Sequence, residues 1–329
     1  MDIKKILAIR NDRFGEFLLT MPAVRALKKK YPQAQLSLVV DSYLRELAAC
    51  IDCVDEVIIW DKRRHRFSQI MAFSRSLKQK HFDMSIAFNP SKEVNIICFL
   101  AGIRRRIGYA RKWDFLLNAT IADTKHFAKK REIEYNLELA QVAGAATEDS
   151  SLLGLFNEQK LLAQNIDGLF PVNNRRLIAI HPFTSDSSKQ WPLERFQALA
   201  DEVLNLPDTT AVIIGAKSEP SQALPVFEGS NKNLINAVGK TTLLQLAALL
   251  KRCRLLISGD SGPVHLAAAM ATPVIALFRS DIIGKSARRW GPWGRNQIVI
   301  AKKNLLDISV SEVMAKINAT LADTTAIKE

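Results

Sequence analysis

Ile257-Ser258-Gly259-Asp260-Ser261-Gly262-Pro263-Val264-His265-Leu266-Ala267-Ala268-Ala269 is the stretch that decides the fold. It closes the apolar run Leu255–Ser258, which reads as a buried strand, turns on Asp-Ser-Gly, and opens a helix with Pro263, a residue suited to a first helical turn because its missing N–H would be unsatisfied there anyway. A strand that feeds a helix through so short a turn is half of a β-α-β unit. The free amides at such a helix start point at whatever sits beyond the strand end, and an anion such as a diphosphate suits them.

The same alternation extends both ways. Candidate strands are Lys5–Ile9, Leu36–Val40, Glu56–Trp60, Met84–Phe88, Leu177–His181, Ala211–Ile214, Val274–Leu277 and Gln297–Ile300. Amphipathic stretches such as Glu16–Tyr31, Phe67–Lys80, Leu193–Asn205 and Leu243–Leu250 lie between them. This pattern predicts an α/β protein with parallel, doubly wound sheets covered by helices on both faces. The alternation starts afresh near residue 176, after the turn-rich segment Pro171–Arg176, so two domains are expected, 1–172 and 173–329, with a final helix able to pack back on the first. At roughly 100–200 residues per domain, 329 residues suit two. Open sheets of this kind bind ligands beyond the carboxyl ends of their strands, and a cleft between two such ends is the expected site.

Composition removes other classes. Hydrophobic residues make up 48% and charged residues 24%, an ordinary globular balance. Strongly apolar runs such as Leu36–Val40 and Pro273–Phe278 are strand-sized and far short of the ~20 residues that span a bilayer. The start, Met1-Asp2-Ile3-Lys4-Lys5-Ile6, has no secretory h-region, so a cytoplasmic location is expected. Four cysteines at 50, 53, 98 and 253 make no disulfide framework or paired zinc knuckle. The net charge of +13 is uneven: Asp61–Arg131 holds 17 Lys or Arg against 5 Asp or Glu. One basic face is expected, suited to an anionic partner.

Three more turns carry candidate chemistry. After the first strand comes Arg10-Asn11-Asp12-Arg13-Phe14-Gly15-Glu16, where Gly15 permits a bend and Glu16 falls in the first helical turn; Glu16 as a reactive carboxylate and Glu16 as an ordinary helix-start residue capped by Asp12 both fit. His181-Pro182-Phe183-Thr184-Ser185-Asp186-Ser187-Ser188-Lys189-Gln190-Trp191-Pro192 is a hydroxyl-rich loop with one lysine, fit to grip phosphate oxygens but without Walker spacing. In Ile213-Ile214-Gly215-Ala216-Lys217-Ser218-Glu219 a carboxylate follows a strand-ending glycine and could accept from a ribose. His265 either donates to a phosphate or fills a polar niche under the strand ends.

Together, the Arg10–Ala23 block, the His181–Pro192 loop, the Asp260–Ala269 turn and Trp290-Gly291-Pro292-Trp293-Gly294 resemble glycosyltransferase family 9, the ADP-heptose:lipopolysaccharide heptosyltransferases of Gram-negative bacteria. The resemblance implies a GT-B fold of two Rossmann-like domains, acceptor on the first and ADP-sugar on the second. It implies an inverting, metal-independent displacement without cofactor, and none of the 18 aspartates forms an Asp-x-Asp pair. By the same resemblance Glu16 is the general base, Lys189 meets charge on the leaving ADP, Thr184 and Ser185 contact phosphates, Glu219 the ribose and Thr241 the adenine. Asp260, Ser261, Gly262 and His265 then line the donor diphosphate and sugar. The sequence departs from the family at Glu16, commonly Asp, at Phe183, commonly Gly, and over Phe278-Arg279-Ser280-Asp281.

On this reading Arg63, Arg64, Arg104, Arg105 and Arg106 hold the phosphates and carboxylates of a lipid A–Kdo acceptor or dock the protein on the inner membrane's cytoplasmic face as a peripheral protein. The competing readings are a non-catalytic binder of nucleotide or anionic glycan on the same fold, and a family 9 transferase with another sugar or acceptor. Nucleic-acid binding is disfavoured for want of aromatic interleaving or a known module, and a dehydrogenase for want of G-x-G-x-x-G.

Overall fold

The computed structural model of the chain describes residues 2–63, 65–170, 175–219 and 231–325. It divides into two units, Met1–Asn157 and Glu158–Glu329, each built on a parallel sheet. In the first unit the strands are β1 (Lys5–Ile9), β2 (Gln35–Val40), β3 (Glu56–Ile59), β4 (Met84–Ala87), β5 (Arg105–Tyr109) and β6 (Ala119–Ile121), in the order β3-β2-β1-β4-β5-β6. In the second they are β7 (Arg176–His181), β8 (Thr209–Ile213), β9 (Leu234–Asn236), β10 (Leu255–Gly259), β11 (Val274–Arg279) and β12 (Gln297–Lys302), in the order β12-β11-β10-β7-β8-β9. Strand order reverses between β1 and β4 and between β7 and β10. In open α/β sheets these switch points are where ligands bind.

The helices are α1 (Phe14–Lys30), α2 (Arg45–Ala48), α3 (Phe67–Lys80), α4 (Lys92–Leu100), α5 (Glu132–Val142), α6 (Glu158–Leu162), α7 (Ile166–Leu169), α8 (Leu193–Leu204), α9 (Leu243–Arg252), α10 (Gly262–Ala269), α11 (Ala287–Trp290) and α12 (Val310–Thr325). Among the described residues no helix is long and apolar enough to cross a membrane. The central strands β1 and β10 are buried on both faces, so they read as continuous apolar runs. Leu7, Ile9, Leu77 and Val94 belong to one core in the first unit; Ile180, Ile213, Ile257 and Leu277 belong to another in the second.

The units divide at 157/158, whereas the sequence reading put the boundary at 172/173 in a segment whose residues 171–174 lie outside the described ones. Helices α6 and α7 belong to the second unit because they pack on α9, where Lys251 pairs with Glu158 and Arg252 with Asp167. The final helix α12 packs on α8, with Val313 and Ile317 buried in the second unit's core. Strands β5, β6 and β9 escaped the sequence reading: β5 begins with two arginines, and the other two are three residues long.

Helix α1 carries Pro22 in its interior, which removes the N–H that would have reached the Leu18 carbonyl. One residue on, Asn136 of α5, itself buried, donates from Nδ2 to the Leu19 carbonyl at 3.0 Å. Trp191 is fully buried beside Phe196, and its Nε1 donates to the Ile308 carbonyl at 3.1 Å. The end of the lysine loop is thereby tied to the chain entering α12. Trp191→Ala is expected to destabilise the second unit by about 3–5 kcal/mol, read as a lowered urea midpoint. Trp191→Phe, which keeps most of the volume and leaves the Ile308 carbonyl with Arg195 Nη1 as its donor, should cost only about 0.5–1.5 kcal/mol.

Candidate active site

The switch point of the first sheet is occupied by a buried guanidinium. Arg10 follows β1 directly and is only 2% exposed. Its Nη1 donates to the Phe88 carbonyl beyond β4 at 2.9 Å, so it spans the gap where strand order reverses. Three carboxylates surround it: Asp12 at 2.8 Å, Glu16 at 3.5 Å and Glu132 at 3.8 Å. Glu132 also receives Lys125 Nζ at 2.6 Å. Burial pulls against the charge of Arg10, but Asp12, Glu16 and Glu132 outweigh it and raise its pKa.

Three acids against two bases leave this cluster one negative charge in excess. Glu16 carries the consequence: burial raises its pKa, Asp12 adds to the rise, and Arg10 opposes it. Glu16 keeps some solvent contact, its side chain being 18% exposed. A half-buried carboxylate held by a fixed cation and slightly reluctant to ionise has the character of a proton acceptor. Helix α1 opens at Phe14 after Arg13, so Gly15 and Glu16 both lie in its first turn. Asp12 does not cap it; its carboxylate faces Arg10.

The switch point of the second sheet is built from neutral groups and ion pairs. His181, ending β7, places Nδ1 3.1 Å from both Ser258 Oγ and Ser261 Oγ, and the two hydroxyls lie 2.8 Å apart. Burial pushes the His181 pKa down to about 4, so the ring is neutral at ordinary pH. Ser261 precedes α10, whose second residue is Pro263, and its hydroxyl turns back to His181 without capping the helix. The Val264 N–H in the first turn is met by the Ser261 carbonyl at 3.3 Å.

Lys189 ends a 3₁₀ turn, Ser187–Lys189, and sets Nζ 2.5 Å from Asp260, one residue beyond β10. The hydroxyl loop is held from behind. Asp186 accepts from Lys285 Nζ at 2.6 Å, from Ser188 Oγ at 2.7 Å and from the Ser188 N–H at 3.1 Å, and these bonds hold its carboxyl well below the usual range. Arg279, paired with Asp281, donates from Nη1 to the Ser188 carbonyl at 3.0 Å. Thus the Arg279 departure has a local role as a tie on this loop.

The structure brings Lys189, Asp260, Ser261 and Gly262 together, with His265 buried in the first turn of α10. Thr184 is half-buried and its hydroxyl accepts from the Asp186 N–H at 3.3 Å, while Ser185 is exposed. Burial raises the Glu219 pKa. Thr241 precedes Thr242, which caps α9. The Phe183 ring goes into the core instead of the loop, in the space over Gly215, where an added Cβ would come within 2.7 Å of it.

The arginine clusters fare differently. Arg63 is exposed in the loop after β3, and Arg64 lies outside the described residues. Arg104–Arg106 sit at the amino end of β5, the opposite end of the sheet from Glu16. Arg105 donates to the Val142 carbonyl, and Arg106 to the Leu116 and Ile103 carbonyls, at 2.5–2.7 Å. The first guanidinium fastens the end of α5 and the second the segments on either side of β5. Sequence reasoning missed Arg10, Lys125 and Glu132 as site residues; the Arg-x-Asp of Arg10 and Asp12 was the available signal for the first.

Residues 70–314 match the family described as Glycosyltransferase family 9 (heptosyltransferase). The chain belongs to glycosyltransferase family 9. This family 9 chain is 25% identical to the lipooligosaccharide heptosyltransferase 2 of Haemophilus ducreyi, covering 97% of this chain and 99% of that one. Its fold matches the solved E. coli ADP-heptose lps heptosyltransferase II with a TM-score of 0.84 at 22% identity, covering 98% and 99% of the two chains. A family 9 glycosyl transferase from Veillonella parvula matches at 0.85 with 23% identity and the same coverage. The GT-B fold is thereby established.

Two outcomes follow from these environments. In Arg10→Met the lowering influence on Glu16 disappears, so the Glu16 carboxyl should titrate higher than in the parent; carboxyl-labelled NMR reads this, and Arg10→Lys should restore most of it. Because His181 binds its proton near pH 4 when folded and near 6.5 when unfolded, the unfolded chain holds the extra proton between those values. Stability is therefore full above pH 6.5 and falls toward pH 4, by up to about 3 kcal/mol. Urea unfolding against pH should show that slope flattened in His181→Asn.

Proposed function

We propose that this family 9 protein transfers heptose from ADP-heptose to an anionic lipopolysaccharide inner-core acceptor, with inversion and without a metal ion. The observation that carries the reading is Glu16, a half-buried carboxylate held 3.5 Å from a buried arginine at the carboxyl end of the first sheet. In the reaction the acceptor hydroxyl oxygen bonds to the anomeric carbon while the bond from that carbon to the ADP oxygen breaks. ADP leaves with the electron pair, and the hydroxyl proton passes to Glu16.

The second unit supports the donor half. Lys189 beside the opening amides of α10 can neutralise a diphosphate, exchanging one carboxylate partner, Asp260, for phosphate oxygens. Serine and threonine hydroxyls of the 184–188 loop supply further donors, and Glu219 and Thr241 are assigned to the ribose and the adenine. The names of the relatives agree with a heptose donor and a lipopolysaccharide acceptor. We place the protein on the cytoplasmic face of the inner membrane, peripherally bound, because the acceptor is lipid-linked.

Glu16→Gln should lower transfer from ADP-heptose by about 10²–10⁴-fold while ADP affinity, measured by calorimetry, stays within twofold of the parent. Lys189→Met should weaken ADP binding and turnover together. Normal turnover in Glu16→Gln overturns the mechanism. ADP binding with no acceptor-dependent ADP release by the parent protein would instead make it a binder of the same fold.

A further inference from the structure

We infer that the outer face of α4, together with the turn after β5, docks the first unit on an anionic lipid surface. This goes beyond the transfer reaction and rests on the proposed function only in its choice of a membrane partner. Phe99, Trp113 and Phe115 are 49%, 46% and 75% exposed and converge on this face. Trp113 and Phe115 lie 5.8 Å apart, Lys92 stands 5.9 Å over the Trp113 ring, and Arg106 stands 5.4 Å over Phe99. Lys92 and Phe99 are seven residues apart in α4, two turns along one stripe.

The turn is built to hold this arrangement. Asn95 of α4 donates to the Lys112 carbonyl at 3.2 Å, and Arg106 donates to the Leu116 carbonyl, so the turn is fastened to α4 and β5 at both ends. Lys112 and Trp113 both adopt positive φ, a strained conformation for side-chain-bearing residues, and the strained turn leaves the two rings in water. Exposed Lys112 directly precedes Trp113 in the chain. Tryptophan and phenylalanine beside lysine and arginine match an interface of acyl chains and anionic headgroups, where each basic side chain adds about fivefold to partitioning.

The test is sedimentation of the full chain, without substrates, with phosphatidylcholine vesicles containing or lacking phosphatidylglycerol, alongside tryptophan emission. Expected are salt-sensitive binding only to the anionic vesicles and a blue shift that Trp113→Phe diminishes. The double variant Trp113→Ser/Phe115→Ser and the charge variant Lys92→Glu/Lys112→Glu should each bind at least tenfold more weakly at unchanged melting temperature. Vesicle binding that survives both double variants overturns the inference, as does a parent protein that ignores anionic vesicles or one that this face binds to single-stranded RNA instead. With no sugar nucleotide present, these results stand apart from the transfer assay.

Discussion

A single buried guanidinium organises the first unit. Arg10 leaves water almost completely and is tolerable only because three carboxylates and a carbonyl meet it from different elements: Asp12 from the strand end, Glu16 from α1, Glu132 from α5 and Phe88 from the end of β4. Removing one partner of such a group leaves charge stranded in a poorly solvating interior, so the elements that supply the partners are constrained jointly. The constraint also sets Glu16. Its carboxylate is positioned by a cation it cannot leave and crowded by an acid that resists its ionisation.

The second unit solves the same geometric problem at its own switch point with other materials. There the bridging group is a neutral imidazole between two serine hydroxyls, and charge enters as the pairs Lys189–Asp260, Lys285–Asp186 and Arg279–Asp281. The contrast suits the proposed roles of Glu16 as proton acceptor and of the second unit as diphosphate cradle. Accepting a proton calls for a carboxylate with an adjustable affinity, whereas receiving a departing diphosphate calls for donors already aligned.

What was legible in the sequence was local. The Asp260-Ser261-Gly262-Pro263 turn declared a strand, a helix start and an anion site within a few residues, because the signals are adjacent along the chain. Glu16 was visible for the same reason, although its meaning depends on Glu132, which lies 116 positions away and looks like any helix-start acid. Charge misled where packing decides: Arg105 and Arg106 read as an anion grip, yet they open a strand and spend their donors on carbonyls. Conversely, Phe183 looked like a change in the site and is a change in the core. Ties such as Arg279 on the Ser188 carbonyl involve a backbone acceptor that no residue letter announces.

Helix α5 presents Glu132 and Asn136 one turn apart, the first reaching Arg10 and the second the backbone of α1 beside its proline. A helix interrupted at Pro22 could otherwise swivel its opening segment against the rest. Gripped at Leu19 and anchored through Arg10 at its mouth, the segment that bears Glu16 is indexed at both ends, like a ruler pinned at two marks. The extra methylene of a glutamate adds one torsion to the side chain, and the 3.5 Å contact with Arg10 is what holds the carboxylate of this longer arm in place.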